Sequence, residues 1–556
     1  MKRIKKGIVI FLMILMPVSV SFQSCEEIAP IIDYLLQIIS QTGWLQEDED
    51  MDNIPEDITP FEDDTREVAS RISLEDKFPP IGDQGKFGTC VAWAVGYNLK
   101  TALNAIENGW SSTQLASTAN QTSPQDLWMI IPTSKRGTNC NGTNFEPALD
   151  AIISKGVATL NTVPYTTQVN CTGTTGGNPD NKLANYRKIA SENEGLTVAN
   201  FKGYLNAGRP IAIGAKLGDR FMSWNSSSVI SSDTYNNPGM QHAYHAMVLV
   251  GYDDSKNAFR VRNSWGKGWG DDGSIWVDYN FFCRSFCFAA FVAQNPTNVS
   301  MGAPTPVTGA DLVAFYAEDY EYDSGDFDEL CTDCTRTFLY DVYNSGTTTI
   351  YPRQRWTITY MYYNAFDARD YEIIYDDYFT DEFEKEGDSG FNENSTAIVG
   401  GFWNHFTIEP GRNVGQDDDG YNFIVGYAMP KITGKYYLVV MADAFDVIRE
   451  VNEDNNFYFI TAENGKPLEF VNGVIRNMPA KSAIQRSSAQ KRPALFANTD
   501  RQTPVGPDNL NAYTPAEIRA MLIHEKKTGR LDAKRKVFSV ENQNGKKYLR
   551  GSKKMN

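Results

Sequence analysis

Ile81-Gly82-Asp83-Gln84-Gly85-Lys86-Phe87-Gly88-Thr89-Cys90 runs without a break into a segment whose apolar residues recur at helical spacing: Val91, Val95, Leu99, Ala102, Leu103 and Ile106. That period predicts a helix starting at Cys90, and Gly109 predicts its end. A thiol in the first turn of a helix feels the positive end of the dipole, which favours the thiolate. The thiolate is the nucleophilic form, so Cys90 is a candidate nucleophile. A thiol of this kind works with a base, and the base needs a third group to fix its tautomer. His245 opens the run His-Ala-Met-Val-Leu-Val-Gly-Tyr, which reads as a buried strand. Asn263 follows 18 residues later in Asn-Ser-Trp-Gly-Lys-Gly-Trp-Gly-Asp-Asp-Gly.

These blocks resemble the papain family of cysteine peptidases, over roughly residues 65–300. The family places a Gln six residues before its nucleophile, where Gln84 stands, and a Gly-Tyr after its His, where Gly251-Tyr252 stand. Its Asn-Ser-Trp-Gly-x-x-Trp-Gly-x-x-Gly block fits Asn263 to Gly273 throughout. Cys140-Asn141-Gly142, Lys155-Gly156-Val157 and Pro164-Tyr165 are further family landmarks. The resemblance implies an α+β fold with a helical half and a β-barrel-like half. It also implies four roles: Cys90 attacks the scissile carbonyl, His245 shuttles the proton, Asn263 orients His245, and Gln84 donates to the oxyanion. Trp265 would shield the Asn263–His245 bond, and Tyr244, Ala246 and Trp265 are the candidates for the substrate-pocket wall. Two positions depart from the pattern. Phe87 stands where the family has a Cys, so the usual disulfide to the Cys-Asn-Gly site is absent, and Cys171 is the candidate partner for Cys140. Val91 stands where a Trp usually follows the nucleophile, and the family's inhibitory prodomain is not visible.

Composition agrees with a globular enzyme. Of 556 residues 41% are hydrophobic and 22% charged, which excludes disorder of the whole chain. The net charge of -17 argues against a nucleic-acid partner. From Lys466 to Asn556, however, 19 Lys/Arg stand against 7 Asp/Glu, a basic tail on an acidic body.

The N-terminus reads as an export signal. Lys2, Arg3, Lys5 and Lys6 precede an apolar run from Gly7 to Val20, too short to span a membrane comfortably. Cys25 just after it resembles the lipidated cysteine of a bacterial lipoprotein. This makes residues 1–24 the signal peptide and Cys25 the lipidation site, and it implies anchoring to the outer membrane, on the periplasmic side or at the cell surface. Residues 25–66 then hold a short helical stripe from Ile28 to Ile39 and an acidic linker with ten acidic side chains between 46 and 66. The stripe fits either a helix packed on the body or a segment covering the active cleft. An exported chain is expected to pair its cysteines. Disulfides are expected at Cys331/Cys334 and at Cys283/Cys287, with each other or elsewhere, leaving Cys90 as the free thiol.

The peptidase-like region spans 67–300, and a Pro-containing linker follows at 301–307. Residues 308–472 read as all-β, with Tyr/Val/Thr/Ile-rich runs such as Trp356–Tyr363, Tyr436–Met441 and Phe457–Thr461 between Gly/Asn/Asp turns. The stretch from Ala442 to Asn456 resembles the last hairpin of bacterial CARDB-type immunoglobulin-like modules, implying a β-sandwich for binding or spacing. Residues 473–556 are expected to be largely disordered, with one helix capped by Thr514, Pro515 and Glu517 and stopped by Gly529. No metal or cofactor is expected: His242 beside His245 lacks further ligands, and the acidic turns at Asp417–Gly420 and Glu450–Asn456 lack an EF-hand spacing. The implied function is cysteine peptidase action on polypeptides, held to a membrane by lipid, with an envelope or surface ligand for the sandwich. The alternative is a catalytically silent adhesion lipoprotein.

Overall fold

The computed structural model describes residues 43, 53–58, 69–191, 196–234, 243–296, 309–318, 336–350, 357–378, 410, 423–427, 432–452, 455–462, 465–477, 511–531, 536–543 and 546–553. Cys25, the 26–42 stripe, His242, the 301–307 linker, Cys331, Cys334, His405 and the Asp417–Gly420 turn lie outside them. The chain divides into two units. The first holds Met1–Glu49, Val68–Lys182 and Ser191–Ala290; the second holds Asp50–Glu67, Leu183–Ala190 and Phe291–Asn556. The boundary therefore differs from the one read from sequence, since both Leu183–Ala190 and the chain after Ala290 cluster with the second unit.

In the first unit the helix predicted after Cys90 forms. This helix, α1, is wound as a π-helix over Ala92–Lys100 and as an α-helix over Thr101–Asn108. Trp93 N–H donates to Thr89 C=O at 3.1 Å, which places Cys90 in the first turn. Every residue from Ala92 to Lys100 is buried, so this half of α1 is a core helix, whereas from Thr101 to Asn108 only Thr101, Ala102 and Ala105 are buried. Gly109 ends it in the left-handed conformation at φ 62°, where a side chain would be strained. Helices α2 (Pro124–Ile130) and α3 (Phe145–Lys155) pack on it.

The other half of this unit is a sheet. Its strands are β1 (Arg71–Ser73), β3 (Ile211–Leu217), β4 (Val229–Ile230), β5 (Ala243–Asp253), β6 (Ala258–Arg262), β7 (Ser274–Asp278) and the start of β8 (Cys287–Gln294). They run in the order β8-β3-β5-β6-β7-β4, with β1 on β5. From His245 onward β5 is buried on both faces, which explains its unbroken apolar run. Arg262 ends β6, donating Nε to Asn98 Oδ1 of α1 at 3.0 Å and Nη2 to Pro79 C=O. This clamp fixes the end of β6 against the helix, and Asn263 is the next residue.

In the second unit β2 (Asn185–Ser191) lies beside the last residues of β8, where Ala184 N–H donates to Gln294 C=O at 2.8 Å. Two antiparallel sheets follow. One has the order β13-β10-β9, from β9 (Leu312–Glu318), β10 (Arg336–Asn344) and β13 (Phe423–Tyr427). The other has the order β12-β11-β14-β16-β17, with β15 also on β14. Its strands are β11 (Thr357–Asn364), β12 (Tyr371–Tyr378), β14 (Gly434–Ala442), β15 (Phe457–Ile460), β16 (Leu468–Val471) and β17 (Val474–Ile475). Side chains alternate along β14. Leu438, Val440 and Ala442 join Leu312, Ala314 and Val342 in a core between the sheets. Tyr437, Val439 and Met441 face the opposite side, under Ile518, Met521 and Leu522 of helix α4 (Pro515–Lys527). Among the described residues no helix is long and apolar enough to cross a membrane.

Three expectations need correction here. Residues 53–58 are not solvated linker: Ile54 and Ile58 are buried, and Asp57 N–H donates to Lys188 C=O at 2.9 Å. The tail holds more order than expected. α4 has the predicted Thr514–Glu517 capping box and covers the sheet. Arg187 of β2 grips its first turn, with Nε and Nη2 on Glu517 at 2.9 and 2.7 Å. Beyond it β18 (Lys536–Gln543) pairs antiparallel with β19 (Lys546–Lys553). The sequence signal for that hairpin is Asn544-Gly545 between two strand-forming runs. Finally, Cys283 and Cys287 are free thiols, so Cys90 is not alone. Cys287 Sγ turns instead to Ala289 C=O at 3.4 Å.

Candidate active site

Cys90, His245, Asn263 and Gln84 come together, from the start of α1, from β5, from the residue after β6 and from the loop before α1. Their connection can be followed bond by bond. His245 Nε2 lies 2.8 Å from Asn263 Oδ1, whose oxygen also accepts the Ser264 N–H at 2.7 Å. An amide oxygen can only accept, so Nε2 carries the proton and Nδ1 has the lone pair. Nδ1 is buried and has no hydrogen-bond partner. A fixed tautomer with an unsatisfied basic nitrogen is the state required of a general base. Ser264 Oγ donates to Gln84 Oε1 at 2.7 Å, and Gln84 Nε2 donates to Phe87 C=O at 2.8 Å, so the orientation of this amide is set. The backbone N–H of Ala246, next to His245, faces Cys90 Sγ.

The thiol is fully buried and its pKa is pushed up to about 11. Burial is the dominant cause and outweighs the N–H groups around the sulfur, so the helix terminus does not yield a thiolate in this state. One of those N–H groups belongs to Gly43, 3.2 Å from Sγ. Gly43 C=O in turn accepts from Thr143 N–H at 2.8 Å. A Cβ at Gly43 would lie 2.1 Å from Gly88 O, so only glycine fits there. Cys140, three residues before Thr143, is joined by a disulfide to Cys171. This pairing replaces the one excluded by Phe87.

Burial also pushes His245 down to about 4, against the opposing effect of its bond to Asn263. In the unfolded chain this histidine takes a proton near its ordinary value of about 6.5. The folded state does so only near 4, so its stability is full above 6.5 and falls as the pH drops towards 4. The loss is roughly 3 kcal/mol at ~1.4 kcal/mol per unit. Urea unfolding at pH 7 and pH 4 should show wild type losing more stability than His245→Gln. Equal losses would place the acid sensitivity elsewhere.

The candidate pocket residues are spread around the histidine. Trp265 lies over the His245 ring at 4.8 Å between centroids and meets Trp269 and Phe221 edge-on. Tyr244 sets its ring edge against Phe288 at 5.4 Å, and Ala246 is buried in β5. Among the described residues no group of three or more His, Cys, Asp or Glu side chains could hold a metal ion. Sequence reading missed Gly43 and the bonds of Tyr165 and Ser264 to Gln84; Pro164-Tyr165 and Asn-Ser-Trp were visible signals for the latter two.

Residues 64–287 match the family model described as papain family cysteine protease. Cysteine proteinase 2 of Entamoeba histolytica is 32% identical over 205 residues, covering 36% of this chain and 60% of that protein. Chymopapain of Carica papaya is 27% identical over 197 residues, covering 35% and 50%. The chain thus spans little more than half the length of these curated relatives. Among solved structures, Xylellain, a cysteine protease from Xylella fastidiosa, is 18% identical, with 46% of this chain and 97% of that chain covered and a TM-score of 0.36. The family match over residues 64–287 covers less than half of the chain, and this stretch is what is similar to the papain family of cysteine proteases.

Proposed function

We propose that this protein hydrolyses peptide bonds in polypeptide substrates through Cys90, His245, Asn263 and Gln84. The observation that carries this reading is the His245 ring, held by Asn263 Oδ1 at 2.8 Å with Nδ1 left unsatisfied, in the same site as a thiol. His245 Nδ1 takes the proton of Cys90 as Sγ attacks the scissile carbonyl carbon. The carbonyl oxygen becomes an oxyanion, which Gln84 Nε2 and the Cys90 backbone N–H stabilise. Collapse breaks the C–N bond, and His245 returns the proton to the leaving amine. Water, deprotonated by His245, then attacks the thioester, and the acid product leaves with Cys90 restored. Trp265 keeps water from the Asn263–His245 bond.

Gly43 adds regulation to this reading. It presents an N–H to the sulfur, where a substrate presents an electrophilic carbon, so it occupies the site without being attacked. It must leave before a substrate enters.

The rest of the proposed function rests on sequence. The protein is exported and lipid-anchored through Cys25 to the outer membrane, at the periplasmic side or the cell surface. The two-sheet unit is an immunoglobulin-like, CARDB-like module that presents the peptidase or binds an envelope ligand. The test of the catalytic reading is covalent labelling by a thiol-reactive epoxysuccinyl probe together with turnover of a peptide library, each beside Cys90→Ala. Labelling and turnover that both vanish in the variant are expected. Turnover that persists in Cys90→Ala would sink the assignment.

A further inference from the structure

We propose that Tyr165 is a positioning residue for the oxyanion donor, its phenol tying together the two ends of the loop that carries Gln84 and leads into Cys90. This rests on the peptidase reading of the site.

The loop runs from Gln84 to Thr89, and its middle residues Gly85 and Lys86 are exposed. A short arc with two glycines, exposed at Gly85 and buried at Gly88, has conformational freedom that must be removed if its ends are to hold a fixed separation. Several bonds converge on Gln84. Its N–H donates to Ser264 C=O at 2.8 Å, its Oε1 accepts from Ser264 Oγ at 2.7 Å, and its Nε2 donates to Phe87 C=O at 2.8 Å. Another comes from Tyr165, whose Oη donates to Gln84 C=O at 2.9 Å. The same Oη lies 2.8 Å from Thr89 Oγ1. With the phenol proton spent on Gln84, Thr89 is the donor in that bond. Ser264 ties Gln84 to Asn263 and Phe87 ties it within the loop, whereas Tyr165 joins Gln84 to Thr89, the residue before the nucleophile.

The phenol itself is fixed from the catalytic helix. The Tyr165 ring meets Trp93 of α1 edge-on at 4.9 Å. Its oxygen is therefore registered against the same element that starts with Cys90. The distance between the Gln84 amide and the sulfur is the quantity that an oxyanion site must hold, because donors act only within a few tenths of an ångström of where the oxygen arrives.

The experiment compares wild type, Tyr165→Phe, Gln84→Ala and the double variant in the full chain, by three readouts. Peptide turnover reports the whole reaction. A peptide aldehyde adds the thiol across its C=O and places the resulting oxygen at the oxyanion site. Iodoacetamide alkylates the sulfur without forming an oxyanion. Tyr165→Phe should lower kcat about tenfold with KM within twofold. It should weaken aldehyde binding in parallel and leave the alkylation rate unchanged. In the Gln84→Ala background the same substitution should cost no more than twofold, because Tyr165 acts through Gln84. A wild-type kcat in Tyr165→Phe, an equal loss in all three readouts, or full additivity with Gln84→Ala would overturn the proposal while leaving the peptidase reading intact. A wild-type chain that neither turns over peptides nor binds the aldehyde would remove the reading and this inference with it.

Discussion

His245→Ala should lower kcat/KM for peptide substrates by about five orders of magnitude, with folding at neutral pH retained. The size follows from the coupling of the groups: in a nucleophile–base pair the loss of either member removes most of what both supply together. Here the imidazole is the candidate base for the sulfur, and among the described residues its Nδ1 has no hydrogen-bond partner to occupy it. The thiol cannot compensate. Burial holds it at about 11, so without a base almost none is ionised at pH 7. Asn263→Ala should cost less, because the ring also lies against Trp265 and keeps part of its orientation. Steady-state kinetics on one peptide substrate, with circular dichroism to verify folding, decide the matter. A His245→Ala enzyme within tenfold of wild type would mean that another group serves as base.

Gly43→Leu should have the opposite sign and raise the rate of Cys90 alkylation at pH 7 by about 100-fold. Two effects contribute. The new Cβ would lie 2.1 Å from Gly88 O and 2.4 Å from Gly88 C, backbone atoms that cannot swing aside as a side chain could. Overpacking of this kind costs ~1–3 kcal/mol, which shifts the balance between covered and open site by about tenfold to a hundredfold. Once Gly43 departs, the sulfur regains water, and each unit by which the thiol falls from about 11 multiplies the thiolate at pH 7 about tenfold. The measurement is the second-order rate of iodoacetamide reaction at Cys90, read by mass spectrometry so that Cys283 and Cys287 are counted separately. Rates equal within twofold would show that Gly43 does not control access.

The parts of the site that could be read in advance are those written in short, contiguous motifs. Gln84 and Cys90 lie in one loop, six residues apart, and His245 and Asn263 each head a motif of their own. The α4 cap was legible for the same reason: Thr514 and Glu517 answer each other across a single turn. Other features had no local signature. Tyr436–Met441 reads as one strand-forming run of the all-β region, and nothing in it says that one face of β14 is covered by Ile518, Met521 and Leu522 from the basic tail. The acidic character of residues 46–66 concealed Ile54 and Ile58, because a charge count takes no account of where two apolar side chains point. Cysteine parity likewise said nothing of geometry, and Cys283 and Cys287 stay reduced.

Sequence alone determined the helix after Cys90 with its stop at Gly109 and the buried strand opened by His245, and its resemblance to a family named the four candidate site residues. The helix and the strand depend on periodicity and glycine conformation, and the resemblance on short contiguous motifs, all of which are local. Tertiary structure alone decided the state of the site. Gly43 reaches the sulfur across 47 residues, and Tyr165 reaches Gln84 across 81. A single glycine leaves no pattern in a sequence, and Pro164-Tyr165, visible as a landmark, does not say which atoms its phenol reaches. Their effects on burial and on donor position exist only once the folded chain has closed those long loops.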